Sequence, residues 1–142
     1  MPVNRSRRNA IARIGACLSL GIAFYAPNSW AAPPTVEIIA FAHSPVQAAL
    51  KPLRDWLASQ GNSVRVVEVD MESPAANKQL QALGLKGHLP IVVLINGQFK
   101  HTRKDGSSVE LVSFPSAQQT SAGRKDGWSI EDAKAVVKPL LL

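Results

Sequence analysis

The run Pro90-Ile-Val-Val-Leu-Ile95, followed at once by Asn96-Gly97 and Gln98-Phe-Lys-His101, constrains this chain more than any other stretch. Its aliphatic and β-branched residues favour a strand. The Asn-Gly pair supplies two positions that tolerate positive φ, so the spacing predicts a two-residue type I′ hairpin returning through Gln98–His101. Any fold for this chain must hold an antiparallel pair here.

Upstream, strand-like and helix-like patterns alternate. Val36–Phe41 is a short apolar run suited to a buried strand. In the next stretch Val46, Ala49, Leu50, Leu53, Trp56 and Leu57 recur at helical spacing until Gly61-Asn62. Val64–Asp70 reads as a second strand, and Ser73-Pro74 opens a helix carrying Leu80, Leu83 and Leu85 that ends near Gly84 and Gly87. Beyond the hairpin, Asp105-Gly106 marks a second turn before Val109–Phe114. Residues Pro115 to Gly127 form an extended polar loop. Ser129 then caps a last amphipathic helix, with Asp132 as its capping-box partner. At 142 residues and 46% hydrophobic content the chain suits one domain and rules out two full cores. The expected fold class is α/β. Strand–helix units crossing over right-handed make the first strands parallel, and the hairpin adds antiparallel ones to a mixed central sheet.

The first 31 residues have a different character. Four arginines (Arg5, Arg7, Arg8, Arg13) and no acid precede the apolar run Ile14–Ala26, as in a cleavable secretory signal. That run has 13 residues, short of the ~20 a spanning helix needs, so no stable membrane span is expected after cleavage. Ser29-Trp30-Ala31 supplies small residues for a cut before Ala32, leaving residues 32–142 as the exported, most simply periplasmic, domain. Ser6-Arg7-Arg8-Asn9-Ala10-Ile11 is similar to a twin-arginine export motif without its usual large apolar residue. Cleavage would lower the formal charge from +6 to +2. The remaining basic residues are scattered among acids, which disfavours nucleic acid as a partner. It would also remove the only cysteine, Cys17, and with it disulfides, thiolate zinc ligation and cysteine catalysis.

This order of elements resembles the thioredoxin fold, a three-layer sandwich built as βαβα, a β-hairpin and a C-terminal helix. Thioredoxins place a Cys-x-x-Cys motif at the start of the first helix, with a proline five residues beyond the second cysteine. Counting back from Pro52 sets Ser44-Pro45-Val46-Gln47 in that place. Gly87-His88-Leu89-Pro90 looks like the loop where the family holds a cis proline, so the resemblance implies a cis bond at Leu89–Pro90 and the Val36 and Val64 strands in one sheet. The Asn96-Gly97 turn falls one residue nearer the proline than in the family. Without cysteine the chain cannot form a mixed disulfide, so thiol–disulfide oxidoreductase activity is excluded.

The residues at the vanished motif have two readings. Ser44 as N-cap, Pro45 in the first helical turn and Gln47 closing a capping box account for the sequence structurally. The resemblance also implies a face, formed by His43, Ser44, Pro45, Gln47, His88, Leu89 and Pro90, that still binds extended polypeptide through the backbone of Leu89. Trp128, just before Ser129, serves either as a hydrophobic staple or as a contact residue beside the polar loop. The expected function is a redox-inactive accessory, adaptor or chaperone-like module for another exported protein, without cofactor, metal or catalytic residue. The alternative is a small metal-binding protein or hydrolase using His43, Ser44 and His88. Two imidazoles on facing loops suit either chemistry, but no third ligand and no Gly-x-Ser-x-Gly elbow accompanies them.

Overall fold

The three strands β1 (Thr35–Ala40), β2 (Arg65–Asp70) and β3 (Ile91–Ile95) form one mixed sheet in the order β2-β1-β3. The computed structural model describes residues 31–116 and 127–141. The expected signal segment lies outside the described residues apart from Ala31, as do residues 117–126 of the polar loop. β1 runs parallel to β2 with Val36 opposite Val66, and antiparallel to β3 with Val36 opposite Ile95. The strands beginning near Val36 and Val64 therefore share one sheet and run parallel, as expected, and are neighbours in it.

Period-two alternation divides the core. Val36, Ile38 and Ala40 of β1 and Ile91, Val93 and Ile95 of β3 pack with Leu50, Leu53 and Leu57 of α1 (Ser44–Ser59) and Ala133 and Val137 of α3 (Ile130–Val137). Ile39, Val92 and Leu94 point the other way, onto Ala76 and Leu80 of α2 (Pro74–Ala82). Helices thus cover both faces of the sheet. β3 is buried at every residue, which explains its unbroken apolar run.

The caps follow the sequence at two helices. Ser73 Oγ accepts from the Ala76 amide at 3.1 Å, and Pro74 opens α2. The same helix is closed by Gly84 at φ 72, with the Leu85 amide on the Leu80 carbonyl and the Gly84 amide on the Gln81 carbonyl, both 3.0 Å. At α3, Ser129 and Asp132 form the reciprocal capping box.

The hairpin turn is present, and its continuation differs from expectation. Asn96 (φ 50) and Gly97 (φ 80) make the left-handed pair, with Ile95 and Gln98 exchanging both backbone hydrogen bonds. Beyond Gln98 the chain leaves β3. β4 (Lys100–Thr102) instead pairs antiparallel with β5 (Ser108–Glu110), and the residues after β5 take the place beside β3. Val93 donates to the Leu111 carbonyl (2.9 Å) and Ser113 to that of Ile91 (2.8 Å). Burial explains the exchange: Val109 and Leu111 are buried, whereas Gln98, Lys100 and Thr102 are exposed.

The Leu89–Pro90 bond is trans, and no cis peptide occurs among the described residues, correcting the expected cis proline. Pro90 sits just before the first ladder position of β3, where its missing N–H removes no sheet bond, and its carbonyl accepts from Phe41 at 3.2 Å.

Candidate functional site

Because β1 and β2 are parallel, both end at the same edge of the sheet, and the loops leaving them meet the loop that returns from α2 into β3. The Met71 amide donates to the Ala40 carbonyl (3.0 Å) and the Phe41 amide to that of Pro90. Three segments distant in sequence, around Phe41, Met71 and Leu89, are thereby fixed side by side. Crevices at the carboxyl ends of parallel strands are the usual ligand positions in α/β sheets.

Phe41 is the centre of this edge. The His43 imidazole stacks on its ring at 5.5 Å between centroids, and the His88 imidazole lies against it at 5.2 Å. The two histidines expected on facing loops are thus brought to one aromatic ring. The described residues hold no cluster of three or more metal-ligating side chains.

The start of α1 corrects the expected cap. His43, not Ser44, is the N-cap; its carbonyl accepts from the Gln47 amide at 3.0 Å, and no side chain caps the helix. Ser44 and Pro45 are exposed residues of the first turn. Gln47 cannot close a capping box because its side-chain amide is engaged elsewhere. Its Nε2 donates to the Phe41 carbonyl (2.7 Å) and its Oε1 accepts from Arg54 Nη1 (2.6 Å). Arg54 in turn forks onto Glu68 of β2 at 2.7 and 2.9 Å. Gln47 therefore anchors the Phe41 loop to α1 and β2.

Beside His88 opens a cleft of about 300 Å³. Phe41, Met71, Leu80 and Leu89 give its lining apolar surface, and Glu72, Ser73, Asn77 and His88 give it at least as much polar surface. Leu89 and Pro90 are half-buried, and among the described residues neither the amide nor the carbonyl of Leu89 has a hydrogen-bond partner. Met71, Glu72, Asn77 and Leu80 stand outside the sequence-based candidates. Their only signal is position: they follow the end of β2 and line the first turns of α2, above the edge where β1 also ends.

Trp128 is not part of this face. Its side chain is fully buried in the core under α1 and α3, and its Nε1 donates to the carbonyls of Val112 (3.1 Å) and Ser113 (3.0 Å). A large ring with its one donor satisfied inside is core, which corrects its placement as a contact residue.

Among the described residues, the shifted titrations lie where the β4–β5 hairpin meets the start of α3. Burial pushes the Asp132 carboxyl up, but the Arg103 guanidinium and the Ser129 amide together hold it below the usual carboxylate range. The hydrogen bond to Asp132 raises Arg103 further, against its desolvation. Asp105, fully exposed, is lowered first by the Ser107 hydroxyl and then by the Ser107 amide. A second cleft of about 320 Å³ lies against this hairpin, lined by Thr102, Arg103, Val109 and Val136.

No helix among the described residues is long and apolar enough to cross a membrane. Comparison with protein-family models, with curated proteins and with solved structures finds no match to this chain.

Proposed function

We propose that the chain is an exported, thioredoxin-like domain without redox chemistry, acting as an accessory or chaperone-like module that binds an extended segment of another exported protein. The observation that carries this reading is the pair of backbone groups at Leu89, unpartnered among the described residues, beside a cleft of mixed polar and apolar lining. Free main-chain groups in the loop just before β3 can hydrogen-bond an extended partner segment, and an adjacent cleft can take one of its side chains. The order β2-β1-β3, the helices on both faces and the parallel β1–β2 pair support the thioredoxin-like reading. The trans Leu89–Pro90 bond departs from that family, so the binding argument rests on Leu89 itself. The leader carries the proposal of export and periplasmic location, by a signal peptide and by either export route.

Photocrosslinking in intact cells tests this reading, with a probe at exposed His88 and a matched probe at exposed Ala58, near the opposite end of α1. A discrete adduct from His88 alone supports it; equal labelling from both positions, or none, refutes it. The alternative, a metal-binding protein or hydrolase built on His43, Ser44 and His88, has in its favour the meeting of both imidazoles on Phe41. A zinc- or copper-dependent rise in melting temperature that disappears in the His43→Ala, His88→Ala double variant would favour it.

A further inference from the structure

Resting on that reading, the cleft beside Leu89 carries information about what the bound segment contains. Among the described residues, acidic side chains are engaged almost everywhere. Asp55, Glu68, Glu110, Glu131 and Asp132 form ion pairs, while Glu37, Asp70 and Asp105 accept hydrogen bonds. Glu72 is the exception, with no side-chain partner among those residues. Among the described residues it is also the only Asp, Glu, Lys or Arg lining the cleft, and its amide is held by Asp70 Oδ1 at 3.0 Å, which brings a second carboxylate to the same turn.

The walls make a different demand. Phe41, Met71, Leu80 and Leu89 present hydrocarbon, sulfur and ring surface, and a methionine adapts to side chains of varied shape. At about 300 Å³ the cleft lies at the small end of ligand sites, suited to one large side chain rather than an extended cofactor.

We infer that the cleft is a specificity pocket taking one large aliphatic or aromatic side chain of an extended protein segment, and that Glu72 selects an adjacent lysine or arginine. The Leu89 backbone would hold the segment, the apolar part of the lining from Phe41, Met71, Leu80 and Leu89 the inserted side chain, and the Glu72 carboxylate the neighbouring cation. An acidic neighbour would meet Glu72 and Asp70 and be rejected.

The test uses protein expressed as the full chain and purified from the cell envelope. The probes are fluorescent nonapeptides on a Ser/Thr/Val frame with the central pair Arg-Leu, Glu-Leu or Arg-Ser, read by anisotropy. Arg-Leu should bind tightest. Replacing its leucine by serine should weaken binding about tenfold, and replacing its arginine by glutamate about threefold, an effect that shrinks with added salt. Glu72→Gln, at an exposed position, should abolish the arginine preference and keep the leucine preference.

Binding that is indifferent to the central pair overturns the pocket while leaving strand addition at Leu89 intact. An arginine preference that survives Glu72→Gln overturns the role of Glu72. Absence of binding by every peptide overturns the inference, and a simultaneous absence of the His88 adduct overturns the underlying reading as well.

Discussion

Replacing Arg103 by methionine should be among the most damaging single changes outside the hydrophobic core. The guanidinium forks onto Asp132 at 2.9 and 3.2 Å and also donates to the carbonyls of Gly127 (2.9 Å) and Ser108 (3.1 Å) and to Ser107 Oγ (3.3 Å). It thereby ties the β4–β5 hairpin to the cap of α3. The two side chains are only 18% and 13% exposed. Breaking a fully buried pair costs about 3–5 kcal/mol and an exposed one about 0–1 kcal/mol. For this pair a loss of about 2–3 kcal/mol is expected, against a typical domain stability of roughly 5–15 kcal/mol. Methionine keeps the apolar stem, so the loss would report the charge and hydrogen bonds.

The pH dependence gives a second readout of the same pair. Asp132 titrates below its unfolded-state value of about 3.9. Its contribution to stability is therefore complete above that pH and is lost as pH falls through the lower folded value. Urea unfolding of both proteins between pH 7 and pH 2 should show a constant gap at neutral pH that narrows under acid. The remaining gap should be the part due to the carbonyl hydrogen bonds. A neutral-pH gap under about 0.5 kcal/mol, the range of ordinary surface substitutions, would refute the reasoning. A gap that stays unchanged down to pH 2 would also refute it.

Other expected outcomes follow from the same contacts. In chemical denaturation, Ser73→Ala should cost about 1 kcal/mol because it removes the α2 cap, whereas Ser44→Ala should stay within about 0.5 kcal/mol. Trp128→Phe should destabilise by about 2 kcal/mol, since it leaves a gap and takes the indole donor from two carbonyls. The wild-type emission spectrum should show a buried, blue-shifted component that this variant loses. Gly97→Ala forces a side chain onto φ 80 and should cost about 1 kcal/mol in thermal melts, with the same fold by circular dichroism.

Features set by near neighbours along the chain are legible in the sequence itself. The Asn96-Gly97 turn, the Ser73-Pro74 start of α2 and the Ser129–Asp132 box each depend on residues within one turn of each other, and each is present. The parallel β1–β2 pair follows from the strand–helix–strand order. The path after Gln98 is not legible, because two segments compete for the place beside β3. The winner is decided by burial of Val109 and Leu111 against a distant core. At the start of α1, the Ser44–Gln47 spacing suits a capping box, yet Arg54 and the Phe41 carbonyl claim the Gln47 side chain. Trp128 is ambiguous for a related reason: a tryptophan beside a polar loop has one sequence signature whether it faces solvent or core. The cleft is hidden because Phe41, Met71 and Leu89 belong to three loops well separated in sequence, and only the parallel strand ends unite them.

The central claim is that a partner strand pairs with the backbone of Leu89. Amide hydrogen exchange at Leu89, followed by NMR with and without the Arg-Leu peptide, tests it most directly. The free protein should exchange this amide rapidly, since no acceptor holds it among the described residues. Peptide should slow it by at least about tenfold while leaving the Ala58 amide, inside α1, unchanged. Saturating peptide with no change at Leu89 would contradict the account.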